Sequence, residues 1–121
     1  MSTFERWYRG EFYEIWLTRQ ESGCQIIDFE HTLAPAVYKR LRGILERTAN
    51  EGHYTEEEIH RYIGEGIWEF KAQTARLYHF NDALRIVLTH GGMKPKSVVN
   101  ERKKALRIQN EYEEWKGKGR T

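Results

Sequence analysis

Between Gly66 and Thr89 the chain carries three short runs in which apolar and polar residues alternate, and on either side of them the apolar spacing lengthens to that of helices. The runs are Gly66–Ala72 (GIWEFKA), Ala75–Phe80 (ARLYHF) and Leu84–Thr89 (LRIVLT). Gln73-Thr74 and Asn81-Asp82-Ala83 separate them at hairpin length, which predicts antiparallel neighbours. Upstream, Glu11 to Arg19 (EFYEIWLTR) is aromatic and β-branched enough for a strand, ended by Glu21-Ser22-Gly23. Ile26, Phe29 and Leu33 recur at helical spacing. Pro35 suits the first turn of a second helix, Val37, Leu41, Ile44 and Leu45 form its apolar stripe, and Gly52 sits where a C-terminal cap belongs. Residues 53–65 are polar and glycine-punctuated, a loop with at most a helical turn.

Downstream, Ser97 can cap a last helix, with Glu101 in its first turn complementing the helix dipole. Val98, Ala105, Ile108, Tyr112 and Trp115 form one seam along it, and residues 116–121 (KGKGRT) read as a frayed tail. The expected class is α+β: an N-terminal strand and helices, then a three-stranded antiparallel meander with a C-terminal amphipathic helix, in one domain over residues 1–121.

At 121 residues the chain can bury one core but not two. A charged fraction of 31% and a mean hydropathy of −0.82 describe a soluble protein, and no apolar run nears the ~20 residues that span a bilayer. The opening MSTFERWYRGEF has no apolar leader core, so a cytoplasmic location is expected. The single cysteine, Cys24, excludes an internal disulfide and reads as a small buried hydrophobe. The net charge of +2 is small, but residues 1–65 carry 8 Lys/Arg against 12 Asp/Glu and residues 66–121 carry 12 against 6. A chain divided in this way can turn a basic face to a polyanion.

Strand alternation puts Trp68 and Phe70 opposite Ile67, Glu69 and Lys71, and puts Arg76, Tyr78 and Phe80 opposite Leu77 and His79. A hairpin that brings Lys71 beside Arg76 collects two cations and a phenol on one exposed sheet face. Leu84, Ile86 and Leu88 read as core-facing; His90 continues their parity, with Gly91-Gly92 permitting a bend after it. These groups match the needs of RNA transesterification. An imidazole such as His90 can move protons near neutral pH. Lys71 and Arg76 can neutralise charge on a phosphorane. Tyr78 can stack on a base or donate a proton. Solvated sheet-edge charge is the competing reading for both cations.

Other chemistries find less support. His53, His60 and Glu56-Glu57-Glu58 lie close in sequence but lack HExxH or another two-histidine helical spacing, so no metal is expected. His79, on the Leu77 face, is expected in the core or an interface. No phosphate-cradling glycine loop and no nucleophile elbow occurs.

The blocks GIWEFK, ARLYHF, LRIVLTHGGMKPK and ERKKALRIQNEY, in that order, resemble the RelE/ParE toxin superfamily, and within it the HigB-like, phage-derived branch. The resemblance covers residues 66–112; the N-terminal half agrees only in its order of a strand then helices. It implies a RelE-like fold and the toxin of a type II toxin–antitoxin pair. Such a toxin is a ribosome-dependent mRNA endoribonuclease that needs no metal or other cofactor, restrained by a cognate helix-turn-helix antitoxin, with operator DNA reached only through that antitoxin. Lys71, Arg76, Tyr78 and His90 match the family's catalytic positions, and Lys94 one of its basic residues. Lys96, Lys103, Lys104 and Arg107 extend the basic surface expected to meet RNA. Gly92 stands where the family has an aromatic residue, Pro95 interrupts its Lys-Lys pair, and the arginine often found before the final tyrosine is missing, with Arg107 nearby. Relatives of the ParE type poison gyrase, and an inert homologue acting only in an antitoxin complex is a further alternative.

Overall fold

The computed structural model describes residues 1–119. Six strands form one mixed sheet: β1 (Thr3–Arg9), β2 (Glu14–Arg19), β3 (His60–Gly64), β4 (Ile67–Ala72), β5 (Ala75–Asp82) and β6 (Arg85–Met93), in the order β1-β2-β6-β5-β4-β3. Three helices complete the fold: α1 (Gln25–Glu30), α2 (Pro35–Glu51) and α3 (Val98–Gly117). After the β1–β2 hairpin the chain crosses one sheet face through α1 and α2 to the far edge. It then walks back through β3, β4 and β5, so that β6 arrives beside β2. That route makes β2 and β6 the parallel pair, while the other neighbours are antiparallel.

The expected three-stranded antiparallel meander is therefore corrected to a six-stranded mixed sheet. Its three strands are present as β4, β5 and β6, but two further strands escape the sequence pattern. β1 lies in the opening residues, where Trp7 breaks a clean alternation at a register shift between Arg6 and Tyr8. β3 is five residues inside a polar, glycine-bounded stretch, and its partner supplies most of its reason to be a strand. The β2–β6 pairing spans some 70 residues of chain and has no local signature.

Both faces of the sheet are covered. On one, Ile15, Leu17, Phe70, Leu77, Ile86 and Leu88 pack with Ile26 of α1 and Leu41, Ile44, Leu45 and Ala49 of α2. On the other, Phe4, Trp16, Ile67, Tyr78, Phe80 and Val87 pack with Ala105, Ile108, Tyr112 and Trp115 of α3. The helical seams expected on α2 and α3 are the ones buried, with Pro35 in the first turn of α2, Gly52 closing it at φ 102°, and Ser97 accepting the Val99 N–H at the start of α3. Cys24 is buried. The helix continues through Lys116 and Gly117, where fraying was expected, and Lys116 Nζ donates to Asp82 at 2.8 Å. Arg120 and Thr121, the end of that expected tail, lie outside the described residues.

β6 departs most from the sequence pattern. It does not bend at Gly91-Gly92 but runs on to Met93. Tyr78 pairs with His90 while His79 pairs with Leu88, so Thr89 is an extra residue, a β-bulge. Leu88 faces α1 and α2, and the bulge sends His90 to the α3 face, against the parity it would share with Leu88 in a regular strand. Gly91 then returns beneath α1, where an added Cβ would sit 2.5 Å from Phe29 Cδ2 and 2.8 Å from Leu77 Cδ2. The Gln25 side chain closes this junction: its Oε1 accepts the Gly91 N–H at 2.8 Å and its Nε2 donates to the Gly91 carbonyl at 2.7 Å.

Gly91→Ala should therefore lower the melting temperature by several degrees, since overpacking costs about 1–3 kcal/mol. Gly92→Ala, with open space around its Cβ position, should leave the temperature nearly unchanged. Thermal denaturation of the two variants side by side checks the contrast.

Candidate functional site

Two cross-strand rows on the α3 face gather the four residues expected to be catalytic. Glu69, Tyr78 and His90 stand opposite one another on β4, β5 and β6, and Lys71, Arg76 and Gly92 form the next row. The Tyr78 and His90 rings stack with centroids 4.7 Å apart. Above them the first turns of α3 bring Glu101, whose Oε1 lies 3.1 Å from His90 Nε2. His90 Nδ1 lies 3.0 Å from the Thr89 hydroxyl. In a neutral ring the Glu101 carboxylate assigns the proton to Nε2, which donates to it, while the one Thr89 hydroxyl proton is shared between His90 Nδ1 and the Tyr78 carbonyl 3.3 Å away. Burial pushes the His90 pKa down to about 4, partly opposed by the Glu101 hydrogen bond. The imidazole is thus neutral, turned by Glu101, and only 2% exposed with both ring nitrogens engaged.

His90 also floors a cleft of about 320 Å³ between β6 and α3, with Lys104 and Arg107 on its rim and Gln20, Gln25 and Glu111 around it. Arg107 is exposed and Lys104 half-buried. Both cations are therefore free to approach an anion entering above the imidazole.

Arg76 is committed differently. It is 5% exposed, donates from Nη1 to the carbonyls of Gln73 (2.6 Å) and Ala75 (2.9 Å), and places Nε 3.7 Å from Glu69 Oε1. Glu69, fully buried, also receives Arg61 at 2.6 Å. Arg76 thus pins the β4–β5 turn and compensates a buried carboxylate; deleting one partner of such a pair costs about 3–5 kcal/mol. Tyr78 is fully buried, and its hydroxyl has no partner among the described residues. Burial, then the Glu69 and Glu101 charges, raises its pKa well above the usual phenol value, so it stays protonated. Lys71 is half-buried, with Nζ donating to the Glu57 carbonyl at 3.1 Å. Lys94 and Lys96 are exposed on the β6–α3 connection, and Lys103 is exposed on α3.

Glu69 and Glu101 were missed as site residues. Glu101 reads from sequence as a dipole partner, and Glu69 becomes visible only when Arg61, from the unforeseen β3, reaches it. A second cluster was also missed. His53, His60 and His79 meet on the α1/α2 side, each offering a ring nitrogen within 4.8 Å of the others. Sequence spacing separates them across a loop, an edge strand and β5, which is why no ligand set was legible.

No protein-family model matches the chain, and no curated protein matches it. The toxin resemblance therefore rests on the residue pattern alone. Among the described residues no helix is long and apolar enough to cross a membrane.

The His90 environment makes stability depend on pH. Its folded pKa near 4 lies below the ordinary 6.5, so between those values the unfolded chain takes up a proton that the folded chain refuses. The stability His90 contributes is complete above about pH 6.5 and is lost as pH falls toward 4, at up to about 1.4 kcal/mol per pH unit. Denaturant titrations in the presence of chelator should show a shallower loss between pH 6.5 and 4.5 for His90→Gln than for wild type.

Proposed function

We propose that this protein is an RNA-directed toxin of the toxin–antitoxin type, cleaving mRNA by metal-independent transesterification in the cleft floored by His90. The observation that carries the reading is the Thr89 bulge, which sets a neutral, carboxylate-held imidazole beneath the Lys104 and Arg107 side chains. His90 accepts the 2′-hydroxyl proton at Nδ1, freed when the Thr89 hydroxyl turns to the Tyr78 carbonyl, as that oxygen attacks the adjacent phosphorus. Glu101 stabilises the imidazolium that forms, and the imidazolium returns the proton to the departing 5′-oxygen. The products are a 2′,3′-cyclic phosphate and a 5′-hydroxyl. Lys104 and Arg107 offset the charge that builds on the phosphorane oxygens. Lys94, Lys96 and Lys103 extend the basic surface along the strand's path.

In this reading Arg76 and Tyr78 are positioning residues: one holds the turn and Glu69, the other seats the imidazole. Lys71 secures the loop before β3. The resemblance in residues 66–112 supports a cytoplasmic setting, the ribosome with its mRNA as target, a helix-turn-helix antitoxin as restraint, and operator DNA reached through that antitoxin. A second reading, an inert homologue acting only within an antitoxin complex, is favoured by burial: Arg76, Tyr78 and His90 are 5%, 0% and 2% exposed, so cleavage requires His90 to be uncovered from the cleft side.

Induced expression in bacteria should arrest translation and leave mRNA fragments ending in 2′,3′-cyclic phosphate and 5′-hydroxyl groups, read by end-mapping. His90→Gln should lower cleavage at least ~10²-fold. Lys104→Ala with Arg107→Ala, which leaves the core untouched, should lower it at least ~10-fold. Full cleavage by correctly folded variants would sink the site assignment, and normal growth with soluble wild-type protein and intact RNA would favour the inert reading. Binding to single-stranded RNA should weaken with salt, and the double variant should reduce the slope of log K against log salt by about 0.7 per lost phosphate contact.

A further inference from the structure

On the sheet face away from His90, three imidazoles from three separate elements converge. His53 follows the Gly52 cap of α2, His60 opens β3 and His79 lies within β5. The Nε2 atoms of His60 and His79 are 2.9 Å apart. Their centroids are 5.1 Å apart and their planes within 10°, so the rings meet edge to edge with the same nitrogen of each turned toward the other. The His53 ring lies parallel to His60 at 4.6 Å. Trp68 at 4.5 Å from His60 and Phe70 at 4.4 Å from His79 fix the two buried rings. Nδ1 of His53 and Nδ1 of His79 have no partner among the described residues. A cleft of about 420 Å³ opens past His53 and His60, with Glu57, Thr55 and Asn81 in its wall.

A core histidine kept only for packing has its ring N–H engaged by a carbonyl or carboxylate. Here two rings share one hydrogen bond between themselves, His60 also meets the Tyr54 backbone and His53 Nε2 lies 3.4 Å from Asn81 Nδ2, which leaves Nδ1 of His53 and of His79 unengaged. We infer that His53, His60 and His79 form a binding site for a divalent first-row transition ion of the zinc type, with the remaining coordination position facing the cleft. Zinc–imidazole bonds of about 2.0–2.1 Å set tetrahedral ligand nitrogens roughly 3.3 Å apart. The His60–His79 spacing needs to widen by only a few tenths of an ångström to match. His53, half-buried on a loop, turns out of its parallel stack on His60 and moves inward to complete the set. For both Nε2 atoms to ligate, the ring protons must sit on Nδ1, a change of tautomer that releases no proton. An all-imidazole set favours zinc, cobalt, nickel or copper over magnesium or calcium. Burial also keeps the three rings neutral: it lowers His53, brings His60 to about 4 and takes His79 well below its ordinary value. Protons are therefore weak competitors at neutral pH. The site would join the 53–59 loop, the edge strand and β5, so an ion that binds only the folded chain stabilises it by mass action.

The test uses the full chain, stripped with chelator and titrated with zinc or cobalt. Zinc should raise the melting temperature where magnesium does not, and cobalt should give the visible absorption of a tetrahedral nitrogen site at one ion per chain. His53→Ala, on the loop, and His60→Gln should each raise the dissociation constant at least ~10-fold. Cobalt absorption in one folded variant is enough to judge ligation even if the other is destabilised. No stabilisation and no cobalt spectrum in wild type, or unchanged affinity in folded His53→Ala, would overturn the site. Because these ligands lie on the face opposite His90, loss of ion binding with RNA cleavage intact separates this inference from the proposed function.

Discussion

The structure turns on the placement of β6 between β2 and β5. As the last strand made, it closes the sheet by a parallel pairing with β2 that only the crossover through α1 and α2 makes possible. Ile86 and Leu88 anchor one core and Val87 the other, so both helical layers bear on this single strand. The residues that follow Leu88 are then free to differ from the regular ladder, and the chain's polar chemistry collects there and on the neighbouring β5.

β5 divides that chemistry between two sides. Arg76 and Tyr78 face α3 with Glu69 and His90, where carboxylates and cations alternate and the buried charge of Glu69 is matched by Arg61 and Arg76. His79, one residue on, faces the other way into an assembly of imidazoles and aromatic rings without a carboxylate in the cluster. Both sides contain histidines kept neutral by burial, but by different surroundings: His90 has an acid partner and cations near it, whereas His60 and His79 have each other. The same residue type thereby stands in two settings, which the two proposals read as proton transfer on one face and ligation on the other.

Local patterns reached as far as local physics extends. Pro35, Gly52 and the apolar stripe predict α2 because a helix is decided within its own span, and Ser97 marks the start of α3 for the same reason. β4 and β5 were legible from alternation, and so was the shared face of Lys71, Arg76 and Tyr78, but not its covering by α3, which leaves Arg76 5% and Tyr78 0% exposed. β1 and β3 were not, since a short edge strand is stabilised by a neighbour that the sequence does not identify. The partners of His90 were hidden for a further reason. Its direction depends on one inserted residue, Thr89, and Glu101 reaches it from a helix that spacing alone cannot dock. The histidine trio needs three elements in register, including the unforeseen β3, before it exists at all.

The Gln25 side chain has a consequence for how this sheet can be extended. β2 stops pairing with β6 at Leu88, which leaves a stretch of strand backbone in mid-sheet unsupported on one side. The Gln25 amide supplies one donor and one acceptor to Gly91, and the Thr18 hydroxyl donates to the Leu88 carbonyl at 2.9 Å. Side chains thus occupy the positions that a partner's main chain would use. A binding protein that adds a strand to this sheet is left the outer margins of β1 and β3, and the interior gap is closed to augmentation and to self-association alike.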